Sequence, residues 1–98
     1  MATYIALISE TNQGETNIQD SVARAAGFRE EAAQFGATVK EAYWTLGQWD
    51  GVLVFEAPDD ETATALMCRL SSKGAVRTHT MRAFTPDEMK SILERAGS

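Results

Sequence analysis

Apolar positions recur along this chain with two periods, and the switches between them mark out its elements. Residues 4–8 are apolar on both alternating sets, with Tyr4, Ala6 and Ile8 on one side and Ile5 and Leu7 on the other. A strand of that kind is normally covered on both faces. Residues 9–20 are polar and read as a loop into a helix, with Asp20 or Ser21 as its N-cap. Val22, Ala25, Phe28, Ala32 and Phe35 then recur at spacings of three and four, with Ala26 and Ala33 widening the stripe. Gly27 inside that helix implies close backbone packing against a sheet, or else a hinge, and Gly36 stands where a left-handed C-cap belongs. Residues 40–45 and 50–56 are rich in strand formers and flank the tight turn Leu46-Gly47-Gln48-Trp49.

Pro58 stops the second of these strands, Asp59 can cap the next helix, and Asp59, Asp60 and Glu61 suit the positive end of its dipole. Ala63, Leu66, Met67 and Leu70 form a second apolar stripe, closed at residues 71–74. Residues 75–84 alternate as a fourth strand, with Val76, Thr78, Thr80 and Arg82 against Arg77, His79, Met81 and Ala83. Thr85-Pro86-Asp87-Glu88 is a capping box with proline at the first helical position, and Met89, Ile92, Leu93 and Ala96 carry a last helix to Gly97.

The order is β-α-β-β-α-β plus a C-terminal helix, in a length of 98 residues that suits one domain over residues 1–98. Such a chain folds most simply as an α+β, ferredoxin-like split βαβ: a four-stranded antiparallel sheet with two helices on one face. Two helices leave the other apolar face of the central strands open. The last helix can cover part of it, and a second copy, sheet against sheet, can cover more, so the expectation is a homodimer or larger symmetric oligomer.

Composition narrows the partners. A net charge of −5 with no Lys/Arg cluster disfavours nucleic acid and an anionic membrane. Cys68 is the one cysteine, which excludes an intramolecular disulfide and a multi-cysteine zinc site. The opening apolar run is too short for a signal-peptide core or a membrane span, so the chain reads as cytoplasmic.

Several pieces, taken in order, carry a family likeness: MATYIALIS at the start, Asn17-Ile18-x-Asp20-Ser21, Val39-Lys40-Glu41, and Tyr43-Trp44-Thr45-Leu46-Gly47. The Asp50 hairpin, Glu56-Ala57-Pro58-Asp59-Asp60-Glu61, Val76-Arg77-Thr78 and Arg82-Ala83-Phe84-Thr85 complete the set. Over nearly its full length the chain resembles the GYD domain family of small, mostly bacterial proteins, named for a Gly-x-Tyr-Asp turn. Trp49 replaces the naming tyrosine, giving Gly47-Gln48-Trp49-Asp50, so an aromatic packing role is kept and a phenolic one is not. The resemblance implies a dimeric α+β barrel. Members of that architecture include cofactor-free monooxygenases, isomerases and ligand-sensing regulators, and fold alone does not choose among them.

The candidate chemistry is sparse. His79 is the only histidine and the natural general base, with Arg77 on its strand face to hold an anionic group, or it is a plain surface or interface residue. Asp50 either binds a ligand at the hairpin mouth or fixes the turn through backbone amides. Trp49 and Trp44 line a pocket or anchor an interface, while Tyr43 points to the strand face opposite Trp44. No phosphate loop, nucleophile elbow or metal-ligand spacing occurs, and no cofactor is implied. Three readings stand. The first is a homo-oligomeric small-molecule binder with its ligand between sheet and partner sheet, near His79, Arg77, Trp49, Asp50 and Tyr43. The second is a cofactor-independent oxygenase or isomerase with His79 as base, and the third is an assembly protein with no ligand site.

Overall fold

In the computed structural model, which describes residues 1–97, the chain begins with β1 (Ala2–Glu10), α1 (Asn12–Thr16), a 3-10 turn (Ile18–Asp20) and α2 (Ser21–Gln34). It continues through β2 (Thr38–Trp44), β3 (Gly51–Ala57), α3 (Asp60–Ser72), β4 (Val76–Ala83) and α4 (Pro86–Gly97). The strands form one antiparallel sheet in the order β2-β3-β1-β4. This is the ferredoxin-like βαββαβ arrangement that the apolar periods predict. The two strands that are apolar on both faces, β1 and β3, take the centre.

The register sorts side chains into rows across the sheet. On the helix-covered face, Val39, Phe55, Tyr4 and Arg82 form one row, followed by Ala42, Leu53, Ala6 and Thr80, then by Trp44, Gly51, Ile8 and Thr78. On the open face the rows are Glu41, Val54, Ile5 and Met81, then Tyr43, Val52, Leu7 and His79. The core lies on the helix side, where Phe28 and Ala32 of α2 and Ala63, Leu66 and Met67 of α3 join Tyr4, Leu53 and Phe55. Phe55 and Leu66 are fully buried, each contributing about 1.5–3 kcal/mol over an exposed position. A bulge between Val39 and Glu41 inserts Lys40, so Val39 and Ala42 share the helix face although three apart.

Several termini form as predicted. The Asp59 side chain accepts the Thr62 N–H at 2.8 Å, and Thr85 and Glu88 exchange both bonds of a capping box at 2.8 and 3.2 Å. Gly36, at φ +76°, ends α2 in the left-handed region.

Other expectations are corrected. The segment 9–20 is not a loop: β1 runs to Glu10, and Thr11 caps α1 by accepting the Gly14 N–H at 3.1 Å. The 3-10 turn then feeds straight into α2, so Asp20 occupies the N-cap with helical backbone angles and no side-chain cap bond, and Ser21 is already helical. The α2 stripe is narrower than expected: Phe28 and Ala32 are buried, but Val22 is 67% exposed and Ala26 and Ala33 face solvent. Gly27 is exposed, and a Cβ there would meet nothing within 4 Å, so it marks open space rather than close packing. Helix α4 forms as predicted, yet none of its residues is buried and Met89 and Leu93 stay exposed. Among the described residues no helix is long and apolar enough to cross a membrane.

Candidate functional site

Small residues meet where a fuller core would carry large ones. Gly51 lies in the helix-side row between Trp44 and Ile8, and a Cβ on it would come 2.9 Å from the Tyr43 carbonyl oxygen. Ala42 is its neighbour in the next row, and Ala25 and Gly27 of α2 stand opposite. The result is a cavity of about 260 Å³ between α2 and the sheet, beside the hairpin connection. Ile8, Phe28, Trp44, Leu53, Leu70 and Val76 supply apolar wall, and Glu10, Arg24, Asp50 and Lys73 supply charge.

The charged groups are held by specific bonds. Arg24 pairs with Glu10 through Nη1 at 3.4 Å and Nη2 at 3.5 Å, and the Glu10 side chain is only 8% exposed. The Arg24 Nε is buried and has no hydrogen-bond partner among the described residues. Lys73 pairs outward with Glu31, which also accepts from Arg69 Nε at 2.9 Å, and these two bonds hold the Glu31 carboxyl below its usual range. Asp50 fastens the hairpin to β1: its Oδ2 accepts the Glu10 N–H at 2.7 Å, and its own N–H donates to the Ile8 carbonyl at 2.8 Å.

A second, more polar depression lies between α3 and β4. It is lined by Tyr4, Asp60, Met67, Thr78, Thr80 and Arg82. The Tyr4 hydroxyl donates to Asp60 Oδ1 at 2.6 Å, and burial, reinforced by that bond, pushes its phenol up to about 12. Such a phenol is a weak acid and stays protonated at neutral pH. Among the described residues no group of three or more His, Cys, Asp or Glu side chains could hold a metal ion.

The residues singled out from sequence are distributed over both faces. His79 lies on the open face with Arg77 and Met81, and its ring is tilted against Trp49 with centroids 5.7 Å apart. Tyr43 shares the His79 row but stands on the far edge strand, where its hydroxyl donates to Glu41 at 2.9 Å; that bond raises its pKa. Trp49 thus meets His79, whereas Tyr43 is kept apart by the two central strands. Tyr43 and Trp44 point to opposite faces, as alternation requires. Of the five residues, only Asp50 and Tyr43 border the cavity, whereas His79, Arg77 and Trp49 do not. Arg24, Phe28 and Gly51 were not legible as site residues. Their one signal was the run of Ala and Gly at facing core positions.

Residues 4–93 match the family model of the GYD domain. The chain belongs to the GYD domain family. A Thermus thermophilus relative, named glutamine synthetase and cystathionine beta-lyase binding protein, is 34% identical over 85 residues, covering 86% of this chain and 90% of that one. Among solved structures, the fold is similar to a feast or famine regulatory protein of M. tuberculosis complexed with L-methionine, at 18% identity and a TM-score of 0.67. That match covers 87% of this chain and 51% of the regulator, so this GYD chain spans about half the regulator's length. A 5-chloro-2-hydroxyhydroquinone dehydrochlorinase of Burkholderia phenoliruptrix, in complex with 2,5-dihydroxybenzoquinone, is also similar, at 16% identity and a TM-score of 0.61 over 89% of this chain and 97% of that one. At these identities the two structures speak for the fold.

Proposed function

We propose that this GYD protein is a homo-oligomeric small-molecule-binding module, with its ligand in the cavity between α2 and the sheet and its copies joined across the open sheet face. The observation that carries the reading is the cavity: about 260 Å³ of apolar-walled space between α2 and the sheet. Ligand pockets are mostly apolar clefts of about 300–1,000 Å³, and this one lies just below that range. This reading moves the ligand from between two sheets to the helix side. The open face is left for association, with Ile5, Leu7, Val52 and Val54 in its centre and Glu41 and His79 at its edges. The stripe of exposed Met89 and Leu93 and half-buried Ile92 on α4 adds a second apolar surface to bury.

The ligand half is tested with ethylbenzene titrated into a Trp49→Phe protein, in which Trp44 is the only remaining indole. Its emission is expected to change saturably. Gly27→Leu, which projects a side chain into free space at the cavity wall, keeps the fold and loses the response. An unchanged response in Gly27→Leu removes the cavity as the site. The association half is tested by sedimentation velocity. Multiples of the 10.7 kDa chain are expected, Leu7→Glu shifts them toward monomer, and a wild-type monomer at micromolar concentration rejects self-association.

The 34% identical relative favours a second reading, since its name makes it a binding protein for two enzymes. In that case the open face receives an enzyme surface instead of a second copy. Co-elution of the purified protein with glutamine synthetase, abolished by Leu7→Glu, is the outcome that would prefer it.

A further inference from the structure

Resting on the cavity reading, we infer that the site selects a neutral apolar molecule carrying one hydrogen-bond acceptor, such as a ketone or ester oxygen, and that Arg24 recognises it. A guanidinium offers five N–H donors in a fixed fork. Two nitrogens of Arg24 reach Glu10 only at 3.4 and 3.5 Å, beyond the roughly 2.7–2.9 Å of a strong charge-assisted bond. The third, Nε, is buried without a partner among the described residues, in a side chain that lines the cavity. Buried donors are seldom left unmatched, because the desolvation of the N–H is then not offset.

What the site lacks is an acceptor and not a charge. Glu10 already neutralises Arg24, and Glu31 already engages Lys73. A ligand carboxylate would enter beside Glu10 and near Asp50, both cavity-lining acids, and like charges in a partly dry setting disfavour one another. A neutral oxygen supplies the Nε acceptor without that repulsion. The remaining surface of the ligand then rests on Phe28, Trp44, Leu53 and Leu70.

Three probes of similar size separate the possibilities: ethylbenzene with no acceptor, acetophenone with a neutral carbonyl, and benzoate with a carboxylate. Each is titrated into the Trp49→Phe protein, and the Arg24 Nε–H resonance is followed by NMR. Acetophenone is expected to bind about tenfold tighter than ethylbenzene, the scale of one added hydrogen bond. Benzoate binds more weakly than acetophenone, and only acetophenone moves the Arg24 resonance strongly. Arg24→Met combined with Glu10→Gln removes both charges at once, so no lone carboxylate is left buried. That double variant loses the preference for acetophenone, read as the ratio of its affinity to that of ethylbenzene in the same protein. Equal affinities for acetophenone and ethylbenzene overturn the inference while the cavity reading stands. Benzoate binding tightest overturns it in favour of an anion site. A preference surviving the double variant overturns the role of Arg24. Failure of all three probes to bind rejects the cavity reading and the inference with it.

Discussion

Tyr4 ties the sheet to α3, and its removal makes a two-sided prediction. The side chain is 4% exposed, its ring stacks on Phe55 at 5.3 Å, and its hydroxyl donates to Asp60 at the start of α3. Tyr4→Phe keeps the packing and deletes that bond. Asp60 is exposed, so water can replace the hydroxyl, and the cost at neutral pH is about 1 kcal/mol. At high pH the sign reverses. Burial, then the Asp60 bond and charge, raise the phenol from 10.0 to about 12 in the folded state. A folded pKa above the unfolded one means stability that is fully present below pH 10 and is lost as pH climbs to about 12. Two units at about 1.4 kcal/mol each make a loss of about 3 kcal/mol, which Tyr4→Phe does not suffer. The variant is therefore less stable at neutral pH and more stable at the alkaline extreme, with the curves crossing near about pH 11. Urea midpoints measured in steps from about pH 8 to about pH 12 read this directly. Any other group that titrates in this range is common to both proteins and cancels in the difference. Parallel curves, with a gap independent of pH, would refute the reasoning.

Gly27→Ala should raise stability by up to about 1 kcal/mol in thermal melts, because the added methyl meets nothing and the helix propensity improves. Gly14→Ala should lower it by about 1–3 kcal/mol, because its Cβ would lie 2.1 Å from the Ala75 carbonyl oxygen. The Glu31, Asp59 and Glu88 carboxyls are all held below their usual range by hydrogen bonds, so their stability is present above the ordinary carboxylate range and lost as pH falls through the depressed values. Glu88→Gln should accordingly flatten the acid limb of a melting-temperature profile, and an unaltered limb would discount the Thr85–Glu88 box as a contributor. His79→Ala should leave ethylbenzene binding in the cavity unchanged and weaken self-association by sedimentation; loss of cavity binding instead would tie the two faces together.

What the sequence by itself determined here is local or periodic. The capping box at Thr85 and Glu88, the Asp59 cap and the Gly36 terminus depend on residues within four positions, so they could be read before any fold was known. Side-chain alternation likewise put Arg77, His79 and Met81 on one face and Tyr43 opposite Trp44. The matched apolar sets of β1 and β3 were enough to centre them in the sheet. Tertiary structure decided the meaning of the small residues. Gly27 read from sequence implies close packing, and only the folded structure shows open space at its Cβ position. The one-residue bulge at Lys40 turned Val39 and Ala42 to the same side, which no alternation rule within β2 indicates. Arg24 meets Glu10 across 14 positions, and Asp50 meets the Glu10 backbone across 40. Those contacts exist because the folded sheet brings distant segments to one end, so the cavity belongs to the assembled layers and to no stretch of chain alone.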